Sequence, residues 1–147
     1  MFSLDANVLF YAADKTAGVQ HAAARRIVLE AAGPNAAISE QVLFEFYHST
    51  TRKRRIPPVE AATIIRDLAQ KLTLMVAPPT IVDDALRLLS AYRLSVWDAR
   101  ILAVCGAYEC HTLLSEDMQD GGIYNGVRVV NPFIHKNAPI VGALLMS

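Results

Sequence analysis

Residues 2–5 read FSLD, and residues 111–117 read HTLLSED. Each is a short, largely apolar run with the length of a buried strand, and each runs straight into acid: Asp5 in the first, Glu116 and Asp117 in the second. Working outward, residues 35–38, 73–77 and 127–130 (VRVV) have the same strand character. Helical stretches alternate with them. Residues 19–32 form an Ala-rich amphipathic pattern stopped by Gly33-Pro34. Ser39 is a good N-cap for a helix from Glu40 to about Arg54, whose basic end suits the negative pole of a helix C-terminus. Pro57-Pro58 starts a helix to about Leu72, Pro78-Pro79-Thr80 opens one to about Tyr92, and Ser95 caps another. Residues 116–122, EDMQDGG, are turn-like. The alternation predicts an α/β fold, a mostly parallel five-stranded sheet between layers of helices. Ligand sites in such sheets lie at the carboxyl ends of the strands, at a topological switch point, which is where the acids fall. Strand order does not follow from the pattern.

A length of 147 residues suits one domain spanning 1–147, with 53% hydrophobic and 19% charged residues marking a globular chain. The formal net charge is zero, so no global basic field recruits nucleic acid and any such contact must be local. Cys105 and Cys110 lack a C-x-x-C spacing and read as reduced core residues of a cytoplasmic protein. The N-terminal run has no basic region and is interrupted by Asp5, against a signal peptide. The apolar run 138–146 is far short of the about 20 residues a membrane span needs, so it reads as a docked tail or a self-association surface, with no further role assigned.

Residues 95–105, SVWDARILAVC, pose the energetic question. At a helical period Trp97, Ile101, Val104, Cys105 and Tyr108 share one side, expected to pack the core; Asp98 falls within that sector and Arg100 off it. Burying an ionised carboxylate without compensation is very unfavourable, so Asp98 needs a partner. Three other acids can meet it: Asp5 and Asp117 after strands, and Glu45 at the edge of the apolar stripe Val42, Leu43, Phe46, Tyr47. Geometry does not separate Glu45 from Glu40, nor Asp117 from Glu116 and Asp120. Two carboxylates about 4 Å apart repel by ~4 kcal/mol at an effective dielectric near 20, so such a cluster implies a cation or raised pKa values. All-oxygen donors suit Mg²⁺ or Mn²⁺, and the chemistry suggested is phosphodiester hydrolysis by water, with no side-chain nucleophile.

The stretches LDANVLFYA (4–12), ISEQVLFEFY (38–47), LSVWDARILAVC (94–105) and HTLLSEDMQDG (111–121), followed by VRVVNPF (127–133), resemble PIN-domain ribonucleases, specifically the VapC-type toxins of toxin–antitoxin pairs. They stand in family order across nearly the whole chain. The resemblance implies a PIN-like three-layer fold and a ribonuclease using Mg²⁺ or Mn²⁺ on single-stranded or structured RNA. It implies Asp5, Glu45 and Asp98 as metal-coordinating acids with Asp117 as the fourth, which favours Glu45 over Glu40. Asn7 and Ser115 match polar positions that support the site. The implied partners are RNA, an antitoxin protein covering the acidic groove, and a second copy in a homodimer, with no membrane.

An RNA substrate needs positive contacts. Arg52, Lys53, Arg54 and Arg55 form the one basic cluster, which reads equally as a solvated helix end; Arg25, Arg26 and Arg100 are scattered candidates. Phe44 lies opposite the stripe of its helix, as an interface anchor or a contact to a neighbouring helix. Tyr11, His21, His48 and His111 are assigned no catalytic role. Two other functions compete. A PIN-like module binding RNA or protein without turnover would keep the acids; an aspartyl phosphatase would use Asp5, with Asn7 where a second acid belongs.

Overall fold

The computed structural model describes residues 1–53 and 56–147, which leaves Arg54 and Arg55 outside the described residues. The strands are β1 (Phe2–Leu4), β2 (Gly33–Ser39), β3 (Leu72–Met75), β4 (Thr112–Leu114), β5 (Ile123–Tyr124) and β6 (Val127–Val130). The helices are α1 (Ala6–Ala13), α2 (Val19–Glu30), α3 (Glu40–Arg52), α4 (Pro58–Lys71), α5 (Ile81–Ala91), α6 (Val96–Ala107) and α7 (Ala138–Met146). Among the described residues they build one six-stranded sheet, ordered β3-β2-β1-β4-β6-β5, in a three-layer α/β fold.

The five expected strands are all present and mutually parallel. The sixth, β5, corrects the expectation: it pairs antiparallel with β6 through a two-residue hairpin turn. Asn125 (φ 48°) and Gly126 (φ 84°) form that turn, and Asn-Gly is the pair such tight turns favour, because both positions need positive φ. Two further expectations change. Gly33-Pro34 does not merely stop α2; it begins β2, and the β2–β3 register shifts between Gly33 and Ala37. Residues 6–13, given no structure from sequence, form α1, with Asp5 at its N-cap accepting from the Ala6 N–H at 2.7 Å.

The chain builds β1, β2 and β3 in one direction, then crosses back to set β4 against the other side of β1. The switch point therefore lies between β1 and β4, whose last residues Leu4 and Leu114 are in register. Leu4, Ile38, Leu113 and Leu114 are fully buried. Helix α6 packs against β2, β4 and β6, and against α5. It is apolar nearly all round from Ala99 to Cys105, which is why its periodicity reads poorly as a single stripe. Its first turn projects past the core: Val96 and Trp97 are exposed, so the expected core position of Trp97 is corrected. Both cysteines are buried free thiols.

Beyond β6, Asp120 anchors the chain. It accepts from the Asn131 N–H at 3.0 Å and from Asn137 Nδ2 at 2.7 Å, and pairs with Lys136 Nζ at 2.9 Å. Helix α7 follows, with Val141 buried, Leu144 and Leu145 packed on the core and Met146 exposed. No helix among the described residues is long and apolar enough to cross a membrane.

Leu113 lies on a central strand with no exposed surface. Leu113→Ala should lower unfolding free energy by about 2–5 kcal/mol, read as a lower urea midpoint at unchanged denaturant slope.

Candidate active site

Pairing of β1 with β4 brings two strand ends together, and the Asp5 N–H donates to the Leu114 carbonyl at 3.0 Å. That bond sets Asp5 beside Ser115. The Ser115 hydroxyl donates to Asp5 Oδ2 at 2.6 Å and accepts from the Asp117 N–H at 3.2 Å. Asn7, in the first turn of α1, supplies the other donor. Its Nδ2 lies 3.1 Å from Asp5 Oδ2, 3.2 Å from Ser115 Oγ and 3.1 Å from Asp117 Oδ2. A nitrogen is required there: an amide oxygen turned toward two carboxylates would meet acceptors only. Asn7 and Ser115 thus tie Asp5 to Asp117.

Asp5 is buried, whereas Asp117 is exposed and Glu45 and Asp98 are half-buried. Burial pushes the Asp5 carboxyl up to about 6, against the hydrogen bonds from Ser115 and Ala6 that favour its charged form; the charges of Asp117 and Glu45 add to the rise.

The other two acids come from helices α3 and α6. Ser39 and Ser95 cap α3 and α6, accepting from the Val42 N–H at 3.3 Å and the Asp98 N–H at 3.0 Å. These caps fix where the two helices begin, with Asp98 in the first turn of α6 and Glu45 in the second turn of α3. Asp5, Glu45, Asp98 and Asp117 all line one open groove of about 840 Å³, together with Asn7, Phe44, Trp97 and Arg100.

The neighbouring acids differ in their partners. Glu40 also borders the groove, but Arg100 Nη2 pairs with its Oε1 at 2.9 Å. Arg100 Nη1 donates to Gln41 Oε1 at 2.7 Å, and Gln41 Nε2 donates to Glu45 Oε1 at 2.7 Å and to the Trp97 carbonyl at 3.2 Å. Arg100 is therefore a clamp between α6 and α3, which corrects its reading as a scattered RNA contact. The contacts of Arg100 and the Gln41–Trp97 bond join residues 56 to 60 apart in the chain and leave no local signal, whereas Gln41 and Glu45 at i, i+4 on α3 are a pair that the sequence spacing offered. Glu116 accepts from the Tyr11 hydroxyl at 2.6 Å, a bond that raises the phenol's pKa, and Tyr11 packs edge-on against Phe133. Asp120 holds the chain after β6 as described. Asp117 is the one of these three that lines the groove.

Along α3, Glu45, His48, Ser49 and Arg52 follow the i, i+3, i+4, i+7 spacing of one helix face. Arg52 and Lys53 are exposed, while Arg54 and Arg55, also expected as RNA contacts, lie outside the described residues. Phe44 is exposed into the groove and meets no neighbouring helix face that covers it.

The donor set is the kind that suits Mg²⁺ or Mn²⁺: carboxylate oxygens, with Asn7 Oδ1 a further buried oxygen that lacks a hydrogen-bond partner among the described residues. Among the described residues, no three such side chains stand close enough to form a ready metal cluster. The fit is thus one of donor chemistry and shared groove.

The PIN domain family model matches residues 3–119, a span that holds all four acids. No curated protein matches the chain in sequence. Similar solved structures include VapC20 from Mycobacterium tuberculosis, described as a toxin that cleaves the sarcin–ricin loop, at 20% identity and TM-score 0.64, covering 87% of this chain and 99% of that one. A toxin–antitoxin complex from Klebsiella pneumoniae is 24% identical with TM-score 0.64, covering 90% and 98%. VapBC2 from Rickettsia felis, bound to a promoter DNA fragment, is 14% identical with TM-score 0.62, covering 87% and 96%. At these identities the likeness is one of fold.

The raised Asp5 value has a consequence for stability. In the folded chain Asp5 keeps its proton up to about pH 6, whereas the unfolded chain releases it near 3.8. The unfolded state therefore binds fewer protons in that window, and stability falls as pH rises through it. Asp5→Asn removes the titrating group. In EDTA, its stability relative to the parent should rise between pH 4 and pH 7 by on the order of 2 kcal/mol. Urea midpoints of both proteins at both pH values measure this; a difference that stays constant contradicts a buried charge at Asp5.

Proposed function

The chain belongs to the PIN-domain family, and on that premise we propose that it is a metal-dependent endoribonuclease, the toxin of a toxin–antitoxin pair. One observation carries the reading: four carboxylates from four separate chain segments line a single groove at the sheet's switch point. The charges of Asp117 and Glu45 disfavour an ionised Asp5, and a cation bound in the groove would offset that repulsion. The similar structures described as toxins or toxin–antitoxin complexes support the biological half of the reading.

Asp5, Glu45, Asp98 and Asp117 would hold Mg²⁺ or Mn²⁺. When bound, such an ion stabilises charge on a phosphoryl oxygen and makes water a better nucleophile near neutral pH. The chain's own residues do the positioning. Asn7 and Ser115 fix Asp5 relative to Asp117 and favour the charged form of Asp5. Arg100, through Gln41, aims Glu45 and leaves Glu40 neutralised. Arg52, on the Glu45 face of α3, and Lys53 beside it contact phosphates along the strand. An antitoxin covers the groove, and the toxin acts in the cytoplasm as a homodimer.

Purified protein freed of its antitoxin should cleave RNA in Mg²⁺ or Mn²⁺ and stop in EDTA. Asp98→Asn should lose at least about 100-fold in rate while keeping its circular dichroism and urea midpoint. Full activity of that variant, or cleavage indifferent to EDTA, sinks the proposal; tight RNA binding in metal without turnover points instead to a binding module. Gln41→Leu, which removes the donor to Glu45, should raise the Mn²⁺ concentration needed for half-maximal rate several-fold, with Gln41→Asn no substitute because its amide is one methylene short.

A further inference from the structure

Two aromatic rings stand exposed in the acid groove. Phe44 is 71% exposed and Trp97 63% exposed, and both line the groove with the acids. Each directly precedes an acid in sequence, Phe44 before Glu45 on α3 and Trp97 before Asp98 on α6. The two helices are locked to each other at this point, because Gln41 Nε2 bonds the Trp97 carbonyl at 3.2 Å and Arg100 Nη2 pairs with Glu40 at 2.9 Å. The rings are thus held on a rigid frame, although neither helps the core. Large apolar side chains left exposed in a groove that also holds the acids mark a recognition surface.

We propose that Phe44 and Trp97 are base-stacking residues that select RNA with unpaired nucleotides at the scissile position. The inference rests on the ribonuclease reading above and deepens it. A nucleotide joins a flat base to an anionic phosphate one ribose apart; here each ring is joined to a phosphate-directed acid one residue away. The chain has zero formal net charge, so no global basic field holds RNA, and stacking adds to the local phosphate contacts of Arg52, Lys53 and a bound cation. Stacking supplies sequence-tolerant affinity that does not depend on the backbone, and it is open only to bases out of a duplex. A paired substrate offers neither ring a base face.

Trp97 is the one tryptophan of the chain, so its emission reports on the groove directly. The test titrates Asp117→Asn protein in Mg²⁺ with a short single-stranded oligoadenylate, and separately with a duplex of the same length. Saturable quenching by the single strand and little by the duplex is expected. Phe44→Ala should weaken single-strand binding roughly 5- to 150-fold, the range for loss of one stacked base. Trp97→Ala, followed by anisotropy of a labelled strand, should do the same, and Trp97→Phe should restore most of the binding; both side chains are exposed, so the fold is retained. Unchanged emission with single strands, or equal quenching by the duplex, overturns the proposal and leaves the rings to a protein partner. Wild-type cleavage of total RNA, run alongside, separates the two readings. Cleavage with silent Trp97 removes stacking alone, whereas quenching without cleavage removes the ribonuclease.

Discussion

The site depends on one strand pairing, the parallel contact of β1 with β4. Leu4 and Leu114 are in register, and the Asp5 N–H reaches the Leu114 carbonyl. A shift of one residue would turn Asp5 or Ser115 to the other face of the sheet. Because both strands are buried and flanked by further parallel strands, the register is held by the core and not by the polar groups it presents. The acids can then be placed where they repel one another, since packing elsewhere offsets that repulsion.

What makes the arrangement tolerable locally is a shared donor. Asn7 Nδ2 serves Asp5, Ser115 and Asp117 at once, and the Ser115 hydroxyl serves Asp5. Even so, burial wins at Asp5, whose carboxyl is pushed up to about 6. The remaining acids near the sheet edge are each drawn off by a partner: Glu40 by Arg100, Glu116 by Tyr11, Asp120 by Lys136 and two asparagines. Of the acids that line the groove, Glu40 is thus the one paired with a cationic side chain, Arg100.

Much of the fold was legible because strand and helix periods differ and because the strands ended in acids. The five parallel strands and most helices fell close to their expected positions. The misses have physical causes. Helix α1, ANVLFYAA, is too short and too uniformly apolar for its period to stand out. The β5–β6 hairpin carried an Asn-Gly signal, but its strand is two residues long. Trp97 followed the helical period of the core-facing side, yet the first turn of α6 extends beyond the sheet it packs on, so period and burial part company there.

For the site, the residue types and their positions after strands and on serine-capped helices were readable, because capping serines and strand-end acids are local features. The choice of Glu45 over Glu40 came from family resemblance alone; the pairing of Glu40 with Arg100, which sets the two acids apart, is a contact between α6 and α3. The sequence by itself determined an α/β chain with acids at strand ends and on serine-capped helices, since those depend on neighbours a few residues away. Only the tertiary structure decided which acids face one another, because strand order sets the switch point between β1 and β4, and strand order is a property of long-range packing that no local pattern encodes.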